Sequence, residues 1–170
     1  MRIVSVDPGT ITCGVAVWDL DKNFRIVALY SFTIYISNDL ELNARMDNLY
    51  YIFKDIFKDT EPFHLAHESG FINRFRPQAY GPIYTTIYLI RQAFIEEVSP
   101  YGIFAYPPKM VKAVVSKGTA DKNDMYEAVY KIRDVVPFLT GKESEHEIDA
   151  LAIGYVHILN IRNFPEVLLF

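Results

Sequence analysis

The chain has 170 residues, of which 51% are hydrophobic and 15% aromatic; that is enough to bury a core, excludes global disorder and suits one domain over residues 1–170. Its formal net charge of −4 excludes coating of nucleic acid by bulk charge, because phosphate binding needs many cations, and leaves only a local basic face to do that work. One cysteine, Cys13, excludes an internal disulfide framework and a cysteine-built zinc site; with no apolar run reaching the ~18 residues of a membrane span and a strand-like run directly after Met1, a soluble protein of a reducing, cytoplasmic compartment is expected.

The first forty residues read as three strands. Arg2 to Val6 is a short β-branched run stopped by the turn sequence Asp7-Pro8-Gly9. Cys13 to Trp18 is a second run, and Phe24 to Ile36, rich in Ile, Val, Phe and Tyr, is a third. Short links between them predict an antiparallel meander. The period then changes: Leu42, Met46, Leu49, Ile52, Phe53, Ile56 and Phe57 recur at steps of three and four, which predicts an amphipathic helix. Phe63 to His67, running into Glu68, predicts a buried strand. A helix is expected from Gly81 to Val98 with Pro82 in its first turn, and a fifth strand from Tyr101 to Tyr106, stopped by Pro107-Pro108. Two helical stretches follow, near 109–115 and 121–135. A last helix starts at Ser144, where Ser144 and Glu147 have the spacing of a capping box. The order β-β-β-α-β-α-β-α-α-α predicts an α/β fold: a five-stranded mixed sheet, three antiparallel strands then two parallel, with helices on both faces.

This order has a chemical consequence. Strand one ends at Asp7 and strand four at Glu68, so side-by-side strands bring two carboxylates from distant sequence to one rim, where ligand sites favour α/β sheets. His146 and Asp149, spaced i,i+3, share one face of the last helix and can aim at the same rim. Three carboxylates and an imidazole repel one another unless cations neutralise them; Mg²⁺ prefers carboxylates and water, and Mn²⁺ also accepts imidazole. Two such ions roughly 3.5–4 Å apart can cleave a phosphodiester.

Four segments resemble, in order, the motifs of RuvC-type Holliday junction resolvases: Asp7-Pro8-Gly9-Thr10 with Gly14-Val15-Ala16; Glu68-x-x-Phe71; Val111-Lys112 with Gly118-Thr119-Ala120-Asp121-Lys122; and His146-Glu147-Ile148-Asp149-Ala150-Leu151-Ala152. The resemblance implies an RNase H-like fold and a homodimer. It implies an endonuclease dependent on Mg²⁺ or Mn²⁺, two ions per active site, that resolves a four-way DNA junction by paired symmetric nicks in a prokaryotic or phage-infected cell, at the nucleoid. It places the metal ligands at Asp7, Glu68, His146 and Asp149, and catalytic lysines at Lys112 and Lys122. Many members have Asp where this chain has His146, a departure that points toward Mn²⁺ or toward a proton-carrying residue near neutral pH. The low net charge is a second departure and suggests a divergent, phage or viral, member.

The local basic face falls in two segments. Arg74, Arg76 and Arg91 follow Glu68 without an intervening acid, and Lys109, Lys112, Lys117 and Lys122 precede the last helix. Lys112 and Lys122 are expected on the phosphates flanking the cut, with Lys109 and Lys117 beside them and Arg74 and Arg76 on the junction arms. Phe71 and Phe75 offer aromatic rings for stacking at the crossover.

Each residue also has a plain structural reading. Asp7 can cap its turn, and Glu68 and Asp149 can be ordinary acids at element ends. His146 can be a first-turn residue without a ligand role, with Glu145 the reserve ligand. His64 and His67 are expected as satisfied core or edge residues, and His157 as late-helix packing or a C-terminal dipole contact. Cys13 is expected as a small core residue. Tyr80, Tyr84 and Tyr88 form a helix stripe that suits core packing or a dimer seam, and the apolar Val167 to Phe170 ending suits docking on the body or a partner. Three other functions compete: an actin-like or sugar-kinase ATP site, for which the chain is short and lacks a second Gly-rich loop; a YqgF-like nuclease acting on RNA; and a non-catalytic junction-binding module, which has no need of the acids.

Overall fold

The computed structural model describes residues 1–70 and 80–166, with Tyr80 described in its backbone only. The strands are β1 (Arg2–Asp7), β2 (Thr12–Leu20), β3 (Ile26–Tyr35), β4 (His64–Glu68) and β5 (Ile103–Tyr106). The helices are α1 (Leu42–Thr60), α2 (Tyr80–Glu97), α3 (Pro108–Val115), α4 (Lys122–Val129) and α5 (Glu145–Asn163).

The strands form one sheet in the order β3-β2-β1-β4-β5. β1 pairs antiparallel with β2 and parallel with β4, β2 pairs antiparallel with β3, and β4 pairs parallel with β5. The expected mixed sheet is therefore present. Alternation along the central strands sends side chains to two faces. Val4, Val6, Val15 and Val17 pack with Leu49, Phe53 and Phe57 of α1 and Ile90 and Phe94 of α2. Ile3, Ala16 and Trp18 pack with Val111, Met125, Val129 and the apolar residues of α5 on the opposite face.

α5 is the best-buried helix, and small residues bring it onto the sheet. Ala150, Ala152 and Gly154 are all buried; a Cβ on Gly154 would lie 2.3 Å from the Trp18 indole nitrogen. Trp18 Nε1 donates to Ser5 Oγ at 2.8 Å, and Ser5 Oγ donates to the Ala150 carbonyl at 2.8 Å. Ser5 is thus satisfied at both ends, and the buried polar pair pins the middle of α5 to β1 and β2.

Several elements differ from their sequence expectations. α4 ends at Val129 rather than 135; the chain continues in tight turns, Lys131 N to Ala128 O and Ile132 N to Val129 O, into a 3₁₀ turn at Val136–Phe138. The apolar spacing Val129, Ile132, Val135 is met by three-residue turns instead. Ser144 accepts from the Glu147 N–H at 3.2 Å, but the Glu147 carboxylate does not return to Ser144: it accepts from Ser31 and Thr33 of β3, so the capping box is half formed. The reciprocal box lies at α4, between Asp121 and Asp124.

His64, His67 and His157 are buried but not all satisfied. His64 Nδ1 meets His157 Nε2 at 2.9 Å, His157 Nδ1 meets the Tyr106 hydroxyl at 2.7 Å, and Asn160 donates to that hydroxyl at 3.1 Å. His64 Nε2 and His67 Nε2 are buried with no hydrogen-bond partner, which corrects the reading of both as fully satisfied. His157 packs inside α5 rather than at its end. Burial holds it neutral, with its pKa pushed down to about 3, so it makes no charge contact with the helix dipole. Cys13 is buried, its thiol bonded to the Gly9 carbonyl at 2.9 Å and pushed up to about 12 by burial, as a small core residue requires. Tyr84 and Tyr88 stand 55% and 59% exposed on α2, which excludes the core-packing reading for those two. Among the described residues, no helix is long and apolar enough to cross a membrane.

Candidate active site

The parallel pairing of β1 with β4 sends both chains out at the same rim, with Val6 opposite His67, so Asp7 and Glu68 emerge side by side. α5 supplies the rest. Its first turn crosses β2 at Gly14, where an added Cβ would lie 1.8 Å from the His146 carbonyl oxygen. Only glycine lets the helix start lie this close to the strand. His146 Nδ1 then reaches Asp7 Oδ2 at 2.8 Å, and Asp149, one turn on, faces the same cluster.

The electrostatics show the proximity. Burial pushes the Glu68 carboxyl up to about 8, and the charges of Asp7 and Asp149 push the same way, while Lys112 opposes them. Burial likewise lifts Asp149 to about 6, reinforced by Asp7 and Glu145 and opposed by Lys112 and His146. The Asp7 hydrogen bond raises the His146 pKa, against a smaller burial effect. His146 beside Asp7 is thus biased toward its charged form, and Lys112 adds a positive charge to the cluster. The remaining acids are short of positive charge.

This donor set fits a hard divalent cation in its chemistry: carboxylate oxygens that are costly as bare anions, with one imidazole. It is gathered but not closed. Among the described residues, no three histidine, cysteine or carboxylate side chains stand in an arrangement ready to hold a metal ion. Like charges repel, and Asp7 is engaged by His146.

A cleft of about 340 Å³ opens beside Asp149, between α4 and α5, lined among others by Lys112, Lys122, Asn123, Tyr126 and Glu145. Lys112 Nζ donates to the Ala120 carbonyl at 2.8 Å, which fixes it beside the acids. Lys122 is 76% exposed and pairs with Glu145, so the reserve ligand is engaged at the cleft mouth. Lys117 is exposed and pairs with Asp124 at 2.8 Å, and Lys109 is exposed on α3. Phe71, Arg74, Phe75 and Arg76 lie outside the described residues, as does the ending 167–170. Reasoning from sequence did not single out Asn123 and Tyr126. Tyr126 stacks on Tyr130 with ring centroids 4.7 Å apart, and their i,i+4 spacing on α4 was the available signal.

Comparison with known proteins gives the same order of motifs a wider setting. A curated crossover junction endodeoxyribonuclease RuvC from Chlamydia pneumoniae is 30% identical over 156 residues, covering 91% of this chain and 90% of that one. The RuvC of a Wolbachia strain from Brugia malayi is 26% identical over 158 residues, covering 92% and 93%. Among solved structures, Thermus thermophilus RuvC in complex with Holliday junction substrate superimposes with a TM-score of 0.79 at 21% identity, covering 96% of each chain. Fowlpox virus resolvase with substrate Holliday junction DNA does so at 0.60 and 15% identity, covering 95% and 99%. These two share the fold. The family model for crossover junction endodeoxyribonuclease RuvC matches residues 3–157, nearly the whole run from β1 through most of α5. With the rim at Asp7 and Glu68 and the helix bearing His146 and Asp149 both inside that span, the chain belongs to the RuvC family.

Proposed function

We propose that this chain is an endonuclease that resolves four-way DNA junctions by paired nicks, acting with Mg²⁺ or Mn²⁺ held by Asp7, Glu68, His146 and Asp149. The observation that carries the reading is the charge-starved rim, where buried carboxyls at about 8 and 6 sit beside a cleft bordered by lysines. Bound in pairs, such ions supply an activated water and stabilise the leaving oxygen. The protein's own part is placement. β1 and β4 present Asp7 and Glu68, and α5 presents His146 and Asp149. His146 directs Nδ1 to Asp7 and keeps Nε2 for a ligand or a proton. Lys112, fixed by Ala120, supplies a positive charge beside the cut. Lys122 exchanges Glu145 for a backbone phosphate as the strand enters the cleft. Lys109 and Lys117 extend that contact, and Phe71, Arg74, Phe75 and Arg76 hold the junction beyond it.

Residues 1–170 act as one domain, and two copies make the enzyme. The outer face of α2, with Tyr88 and Ile95 exposed, suits the contact between copies, and a symmetric dimer matches a near-symmetric substrate. Sedimentation of the protein as a monomer at micromolar concentration would remove the paired-nick mechanism.

The test is cleavage of a synthetic four-way junction, a linear duplex and a structured RNA, each with and without Mg²⁺ or Mn²⁺. Paired nicks in the junction alone, dependent on the ion, are expected. Asp7→Asn and Glu68→Gln lose cutting and keep junction binding. Normal cutting by either variant refutes its assignment. Preference for RNA, or tight binding without cleavage by the unsubstituted protein, refutes the reading as a whole.

A further inference from the structure

Glu147 projects from the first turn of α5 between His146 and Asp149, yet it turns away from the rim. Ser31 Oγ donates to its Oε2 at 2.9 Å and Thr33 Oγ1 donates to its Oε1 at 2.9 Å. Thr33 Oγ1 also lies 2.6 Å from Ser144 Oγ. The single Thr33 hydroxyl proton is committed to the carboxylate, so Ser144 is the donor in that contact. Ser144 in turn accepts from the Glu147 N–H. The four groups close a ring that joins the helix start to β3. Its placement follows from register: Thr33 lies opposite Gly14 and Ser31 opposite Ala16. Small residues on β2 therefore leave the space through which Glu147 reaches the next strand.

The middle of α5 has a separate anchor, the Trp18–Ser5–Ala150 chain. The first turn touches β1 and β2 through His146, by its bond to Asp7 and its close approach to Gly14, but only Glu147 and Ser144 tie it to β3, and first turns fray because their N–H groups lack helical partners. We propose that Glu147 is a positioning residue, bracketing the start of α5 to Ser31 and Thr33 so that His146 and Asp149 are presented to the metal-binding rim. This rests on the proposed active site and adds to it a residue that touches neither DNA nor ion.

The bracket sets metal affinity and leaves DNA affinity unchanged, because the lysines stand on α3 and α4. Glu147→Ala, and separately the double variant Ser31→Ala/Thr33→Val, are compared with the unsubstituted chain in three measurements: amide hydrogen exchange along α5, Mn²⁺ binding by electron paramagnetic resonance, and junction affinity in EDTA. Amides 146–149 are expected to exchange about tenfold faster while those near Gly154 keep their rate. Mn²⁺ affinity is expected to fall about tenfold, with junction affinity held within about twofold. Glu147→Gln, which keeps one acceptor oxygen, recovers part of both losses. Trp18, the chain's one tryptophan, reports by its fluorescence that the fold is intact, and the double variant decides the matter if Glu147→Ala does not fold. Unchanged exchange at 146–149 overturns the bracket, and so does an equal loss of Mn²⁺ and junction affinity. If the unsubstituted chain neither binds Mn²⁺ nor cuts, the active-site reading fails, while hydrogen exchange still judges the bracket.

Discussion

Glu68→Gln is expected to make the metal-free protein more stable, by a margin that grows as pH rises from about 5 to 8. The Glu68 carboxyl titrates near 8 in the folded chain against an ordinary 4.5. Between those values the folded state holds a proton that the unfolded state has released. Folding stability therefore falls as pH rises through that window, and above pH 8 the full cost is in place. At 1.36 kcal/mol for each tenfold change, the gap is about 5 kcal/mol, a large share of a typical domain's stability. Glutamine has a similar shape and no charge, so it removes the cost. The assay is urea unfolding in EDTA from pH 5 to 8.5, followed by Trp18 fluorescence. The two proteins should agree near pH 5 and separate by about 3–5 kcal/mol at pH 8.5, with equal denaturant slopes. Saturating Mg²⁺ or Mn²⁺ should stabilise the unsubstituted protein, by about 2.7 kcal/mol at a hundred times its dissociation constant, and should leave the variant nearly unmoved. Equal stabilities at pH 8.5 would show that Glu68 is an ordinary solvated acid and would refute the crowded-rim argument.

Three further outcomes follow from the geometry. Gly14→Ala puts a methyl group into the His146 carbonyl; it should cost about 2–3 kcal/mol by calorimetry and lose cleavage with junction binding retained, and normal cleavage would show that the close approach at Gly14 is not required. His64 and His157 titrate near 4 and 3 when folded, below the ordinary 6.5, so their contribution is present above pH 6.5 and lost on acidification. His157→Gln should reduce that acid-side loss by about 1.4 kcal/mol per pH unit between pH 6 and 4 in urea unfolding, and an unchanged acid limb would refute it. Glu145→Gln frees Lys122 from its exposed ion pair and should raise junction affinity about two- to fivefold at low salt, whereas Lys122→Ala should reduce the salt slope of binding by about one; filter binding across a salt series checks both.

What was legible in the sequence followed from periodicity and order. The apolar steps of α1, the β-branched and apolar runs of β1 and β2 and the stops at Asp7, Glu68 and Pro107 each report a local rule, and the mixed sheet follows from assembling them. The rim at Asp7 and Glu68 was legible for the same reason, because parallel neighbours end together. What escaped depended on pairs far apart in the chain. Glu147 and Ser144 have the spacing of a capping box, and a local rule assigns them to each other. Ser31 and Thr33, more than a hundred positions away, donate to the same carboxylate and take the place of the Ser144 N–H. His64 and His157 likewise satisfy each other across 93 positions and leave an Nε2 stranded that no window of sequence would flag. The end of α4 also escaped, because its apolar spacing permits both a helix and a run of tight turns. The same long-range pairing bears on His146, which is bonded to Asp7 across 139 positions. A carboxylate at position 146 would be a fourth beside Asp7, Glu68 and Asp149 and would add to their repulsion, whereas an imidazole bonded to Asp7 is biased toward its charged form and offsets it.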